Sequence, residues 1–173
     1  MTRRDRGSRP TGNGGLWLLL GGAAGAAYGV RAWRLRQARR TAPLVRGDER
    51  AAALVTGASS GIGAQYARAL AALGYDVILV ARRRELLEAL AADLSAEYGV
   101  GAAVVVADLT TEAGLQRVER TIEATPSLSY LVNNAGFGLV DLLVESDVER
   151  LLDMIELHVD AVVRLTRAAL PGM

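Results

Sequence analysis

The chain has 173 residues, about half of them apolar, a net charge of +1, one histidine, and neither cysteine nor lysine. Disulfides and thiolate metal sites are therefore excluded, and a lone His158 argues against a histidine-built metal centre. The small net charge hides an asymmetry: residues 1–50 carry 11 Arg against three acids (+8), whereas residues 51–173 carry 9 Arg against 16 acids (−7).

Residues 1–15 form a basic N-terminal tail. No charged residue stands between Pro10 and Val30, and arginines flank this run on both sides. As a helix, residues 16–33 would be about 27 Å long, close to a bilayer core of about 30 Å. Trp17 and Trp33 sit where interfacial anchors belong. The expectation is a single N-terminal transmembrane helix, with Gly21, Gly25 and Gly29 on one face as a possible self-association stripe. The basic leader lacks the interleaved aromatics of a nucleic-acid surface, so no nucleic-acid partner is expected. Three other readings fit the same residues: a signal peptide, a glycine-rich tail that never inserts, and translation from too early a start. Arginines after the run, and a domain that needs cytosolic nucleotide, favour a membrane-anchored protein whose globular part faces the cytoplasm. Residues 34–50 form a basic linker punctuated by Pro43 and Gly47.

Strand and helix patterns then alternate. Ala51–Thr56 reads as a buried strand and Gly61–Leu73 as a helix with Ile62, Tyr66, Ala69, Leu70 and Leu73 on its apolar stripe. Asp76–Ala81 is a second strand. Arg84–Tyr98 is a second helix with Leu86, Leu87, Leu90 and Leu94 inward, ending at Gly99. Ala102–Ala107 is a third strand, Thr111–Ala124 a third helix, and Leu128–Asn133 a fourth strand. Asp147–Leu170 is a longer helix, expected to bury Leu151, Leu152, Ile155, Val159, Val162 and Val163. Continuously apolar strands between helices predict an α/β, doubly wound parallel sheet, Rossmann-like, in strand order 3-2-1-4 over residues 51–173.

The chemistry concentrates in Thr56–Gly63, Thr-Gly-Ala-Ser-Ser-Gly-Ile-Gly, between the first strand and the first helix. Glycines there let backbone N–H groups approach a pyrophosphate at the positive end of a helix, and Ser59 and Ser60 add hydroxyl donors. The motif resembles the cofactor loop of the short-chain dehydrogenase/reductase family. Asp108 in Ala107-Asp108-Leu109-Thr110, the Asn133-Asn134-Ala135-Gly136 run, and the segment from His158 to Met173 resemble later elements of that family, in the same order. The resemblance implies a nicotinamide dinucleotide held by Gly57, Ser59, Ser60, Gly61, Ile62 and Gly63, with Asp108 and Leu109 by the adenine and Asn134, Ala135 and Gly136 by the nicotinamide-side ribose. At the end of the second strand, where NAD enzymes present an acid to the ribose 2′-hydroxyl, this chain presents Arg82-Arg83-Arg84. Guanidinium groups suit a 2′-phosphate, so the expected cofactor is NADP(H), with Arg82 the leading contact and Arg83 second.

The resemblance also implies hydride transfer between nicotinamide and a carbonyl or alcohol, with a tyrosine as acid/base and a lysine four residues later. None of Tyr28, Tyr66, Tyr75, Tyr98 or Tyr130 has that lysine. The family's serine strand and tyrosine–lysine helix correspond to positions after Met173. The sheet is therefore expected to be C-terminally truncated, with Leu131 and Val132 on an open edge, and the chain catalytically incomplete. His158 stands at the family's asparagine position; it either mimics that residue through a ring nitrogen or marks drift, the favoured reading. The alternative to an incomplete reductase is a non-catalytic nucleotide-binding or interaction module, or a non-functional gene fragment.

Overall fold

The computed structural model describes residues 50–140 and 142–173. The expectations for the tail, the apolar run 16–33 and the linker up to residue 49 lie outside the described residues. No helix among the described residues is long and apolar enough to cross a membrane.

Four strands, β1 (Ala52–Thr56), β2 (Asp76–Ala81), β3 (Ala102–Val106) and β4 (Leu128–Val132), form one parallel sheet in the order β3-β2-β1-β4. This is the Rossmann-like arrangement the alternating pattern predicts. Pairing is in register between β1 and β2 (Leu54 beside Ile78) and between β2 and β3 (Leu79 beside Val104). Between β1 and β4 the register shifts, Ala52 facing Leu128 and Ala53 facing Tyr130, so Ser129 is the extra residue of a bulge. Among the described residues β4 pairs only with β1, and Tyr130 is exposed on it.

Side chains alternate across the sheet, and both faces are covered. Ala53, Val55, Val77 and Leu79 join a core with α1 (Gly61–Ala72) and α2 (Arg84–Tyr98). Leu54, Ile78 and Val80 join a second core with α3 (Glu112–Glu123) and the last helical segment. Burying each Leu or Val contributes about 1.5–3 kcal/mol, so the two cores together fix the strand order. The ends of the helices follow local chemistry. Thr111 Oγ1 accepts from Gly114 N at 3.1 Å and starts α3, while Gly99 in the left-handed region (φ 66°) stops α2.

Three helices differ from expectation. In α1 the buried residues are Gly63, Ala67, Leu70 and Ala71, while Ile62 and Tyr66 are exposed. Small residues let this helix lie close on the sheet, and the larger apolar residues turn outward. Leu86 of α2 is likewise exposed. The predicted last helix is three segments: α4 (Val148–Ile155), a π-helical turn at Glu156–Asp160, and α5 (Ala161–Ala169). Its buried residues are Leu157, Ala161, Leu165 and Ala169, whereas Leu152, Ile155, Val159 and Val163 are exposed. α4 buries no residue, so the buried stripe begins only at Leu157, inside the wide turn, and continues at four-residue spacing through α5. Arg164 ties α5 to α3 through Glu112 (2.7 Å) and Glu119 (2.8 Å).

Candidate functional site

All four strands run the same way, so the loops following them meet at one edge of the sheet. The chain reverses its direction of growth between β1 and β4, the crevice where doubly wound sheets hold ligands.

The loop from β1 to α1 is shaped by its backbone. Gly57 (φ 67°) and Gly61 (φ 56°) occupy the left-handed region that glycine enters without strain. A Cβ on Gly57 would lie 2.8 Å from Asn134 Nδ2 and 2.9 Å from Ala135 Cα. One on Gly63 would overlap the Gly57 carbonyl oxygen and lie 2.5 Å from Asn134 Nδ2. Both glycines therefore let the start of α1 close on the loop after β4. Ser60, the N-cap residue of α1, makes no side-chain cap hydrogen bond, leaving first-turn N–H groups to face an anion.

The loop after β4 is held by side chains. Thr56, buried at the end of β1, donates from Oγ1 to Val132 O (3.2 Å) and accepts from Asn134 N (2.9 Å) and Ala135 N (3.0 Å). Asn134 Nδ2 donates back to Thr56 O at 3.0 Å. Asn133 Nδ2 donates to Thr166 Oγ1 of α5 at 3.1 Å. Phe137 N donates to His158 Nε2 at 3.2 Å.

Basic and acidic groups enter from β2 and β3. Arg83 donates to Ser59 Oγ (2.9 Å) and Ser60 Oγ (2.6 Å), binding the end of β2 to the glycine loop. Arg82 Nη1 lies 3.6 Å from Asp108 Oδ2, and both are solvent-accessible, so this pair contributes little to stability. The other Asp108 oxygen accepts from Thr110 N (3.1 Å) and Thr110 Oγ1 (2.9 Å), which fixes the carboxylate at the end of β3.

Of the residues singled out in the sequence, Gly57, Ser59, Ser60, Arg82, Arg83, Asp108, Leu109, Ala135 and Gly136 line one cleft of about 210 Å³. Gly61, Ile62, Gly63 and Asn134 do not. Gly63 is buried behind the loop, Ile62 is 70% exposed, and Asn134 braces Thr56. The sequence reading passed over Thr56 as a site residue, although a hydroxyl at the end of an otherwise apolar strand was the available signal. It also missed Thr110, Phe137 and Leu157 on the cleft wall. A larger hollow of about 880 Å³ lies at the opposite end, between α3, the start of β4 and the end of α5. Its Arg164 and Glu119 are paired with each other, and it holds none of the cofactor-site residues singled out in the sequence.

Residues 51–173 match the family model for short chain dehydrogenase. The chain is 33% identical over 165 residues to the very-long-chain 3-oxoacyl-CoA reductase of Anas platyrhynchos, covering 92% of this chain and 52% of that one. Among solved structures it resembles a short-chain dehydrogenase from Sphingobium yanoikuyae in complex with NADPH (41% identity, TM-score 0.68, 70% of this chain and 48% of the other). It also resembles a bulky-bulky ketone specific alcohol dehydrogenase from Comamonas testosteroni (37% identity, TM-score 0.67, 69% and 48%). The chain spans about half the length of these relatives. With the match running from the first strand to the last helix, this protein belongs to the short-chain dehydrogenase family.

Proposed function

We propose that residues 51–173 are the NADP(H)-holding part of a short-chain oxidoreductase acting on a carbonyl or alcohol. The observation that carries this reading is the meeting of Arg82, Arg83, Ser59 and Ser60 beside a glycine cradle that any Cβ at residue 57 or 63 would fill. A cluster of two guanidiniums and two hydroxyls suits a 2′-phosphate, where an NAD site would place a carboxylate. The likeness to the NADPH complex from Sphingobium yanoikuyae supports the same choice.

Bound NADP(H) would supply the hydride. This chain's residues would bind and orient it: the first turn of α1 and Gly57 would receive the pyrophosphate, Arg82 and Arg83 the 2′-phosphate, Asp108 and Leu109 would border the adenine, and Ala135 and Gly136 the nicotinamide-side ribose, with Asn134 bracing that loop against Thr56. The family resemblance assigns proton handling to a tyrosine with a lysine four positions on, and none of the five tyrosines here has one. An unassisted phenol near pH 10 is a poor base at neutral pH. Residues 16–33 would serve this protein as a membrane anchor, a reading that rests on their uncharged, apolar run between flanking arginines.

Fluorescence titration of the full chain with NADPH and with NADH tests the cofactor reading. NADPH should bind at least about tenfold tighter, the equivalent of one charge-assisted contact, and equal affinities overturn the 2′-phosphate assignment. The same samples should oxidise no NADPH with any carbonyl added.

A second reading, a nucleotide-binding interaction module, draws on the exposed apolar stripe of Leu152, Ile155, Val159 and Val163. It predicts tight NADPH binding coupled to self-association, read by light scattering.

A further inference from the structure

We infer that His158 is a positioning residue for the cofactor-facing loop after β4, acting through an Nε2 that accepts the Phe137 N–H. The inference rests on the cofactor reading of the cleft.

The loop 133–137 is fastened at three points. Asn133 is tied to Thr166 on α5, Asn134 and Ala135 to Thr56 on β1, and Phe137 to His158. The third fastening is the one at the far end, where Gly136 and Phe137 form the cleft wall. His158 is exposed overall, but its ring lies against the loop. A Cβ on Gly136 would lie 2.6 Å from His158 Nε2, so the imidazole occupies the space that this glycine leaves. The Phe137 and His158 rings have centroids 6.2 Å apart at an interplanar angle of 55°.

His158 is also the central residue of the π-helical turn Glu156–Asp160. The extra residue in that turn departs from regular winding at the point where the helix meets the loop. Leu157, its neighbour, stays buried in the core and lines the same cleft. One turn thus supplies both a core anchor and a loop anchor.

The hydrogen bond has a chemical corollary. A backbone N–H can donate only to a bare ring nitrogen, so Nε2 carries no proton and the neutral ring holds its hydrogen on Nδ1. An asparagine side-chain oxygen offers the same acceptor chemistry without a tautomer, which makes His158→Asn the conservative replacement. His158→Leu keeps an apolar body and removes the acceptor.

Because His158 is the only histidine, long-range ¹⁵N NMR of the full chain above pH 8 reads its tautomer without assignment ambiguity. The expected result is the Nδ1–H form; the Nε2–H form overturns the inference and needs no variant. In parallel, Phe137 amide exchange should accelerate about fivefold in His158→Leu and stay within about twofold of the parent in His158→Asn. NADPH affinity should follow the same order, about fivefold weaker in the leucine variant and restored by asparagine. Equal Phe137 protection in the leucine variant, or loss in the asparagine variant, overturns the positioning role. If the parent chain fails to bind NADPH, the cofactor reading falls, while the tautomer and Phe137 exchange still decide whether His158 holds the loop.

Discussion

The loops after β1 and β4 face each other across the same cleft, yet they are built on different principles. Residues 57–60 take their shape from glycine backbone angles and from missing Cβ atoms. Residues 133–137 take theirs from side-chain hydrogen bonds supplied by β1, the π-turn and α5. A backbone-shaped loop fails when anything is added to it. A side-chain-held loop fails when something is removed elsewhere. The contrast predicts that damage to the first is steric and abrupt, and damage to the second graded and remote.

Gly63→Ala tests the steric side and should have the largest effect. Its methyl would overlap the Gly57 carbonyl and press on Asn134, costing about 3 kcal/mol in urea unfolding and about a hundredfold in NADPH affinity. A variant that binds NADPH normally would falsify the close-approach argument.

Thr56→Val tests the remote side. Valine fills the same space but leaves Asn134 N and Ala135 N without their acceptor in a buried position, a loss of about 2 kcal/mol read from the urea midpoint. An unchanged midpoint sinks the claim that a hydroxyl holds the loop.

Replacing Arg82 and Arg83 together with alanine separates binding from shape. Both are exposed, so stability should change by no more than about 0.5 kcal/mol, while the NADPH preference over NADH drops about tenfold. A preserved preference would move the 2′-phosphate contact elsewhere.

The smallest effect concerns pH. Hydrogen bonds from the Arg164 guanidinium, with one from Gln116, hold the Glu112 carboxyl below its ordinary 4.5. A depressed carboxyl stabilises the fold above the ordinary value, and that contribution is lost as pH falls through the lowered one. Arg164→Met should therefore flatten the acid limb of the urea midpoint below about pH 4.5, and loosen the α5 platform that carries Thr166. An identical acid limb in both proteins rejects the link.

Much of the fold was legible because strands and turns obey local rules. Asp76–Ala81 and Arg84–Tyr98 have the bounds their sequences predict, since an apolar run and a Gly99 stop leave one solution. Which face of a helix points inward was less legible. The reading favoured bulky residues, and the sheet accepted Gly63, Ala67 and Ala71 instead, because close packing rewards small volume as well as apolarity. The glycine loop and Asp108 could be named from sequence because their chemistry is backbone geometry and a strand-end carboxylate. Thr56 could not, because its partners lie 76 to 79 residues away, and His158 could be named by position but not by its partner Phe137, 21 residues away.

The π-turn at Glu156–Asp160 makes the last helix sensitive to counting. Within it stands His158, which reaches the loop, and downstream stand Leu165 and Ala169, locked in the core. Removing one residue from this turn would rewind it to regular pitch and rotate one half against the other by about 100°. Either His158 would swing off Gly136 or Leu165 would leave the sheet. Variation in length is thus barred from this helix one residue at a time.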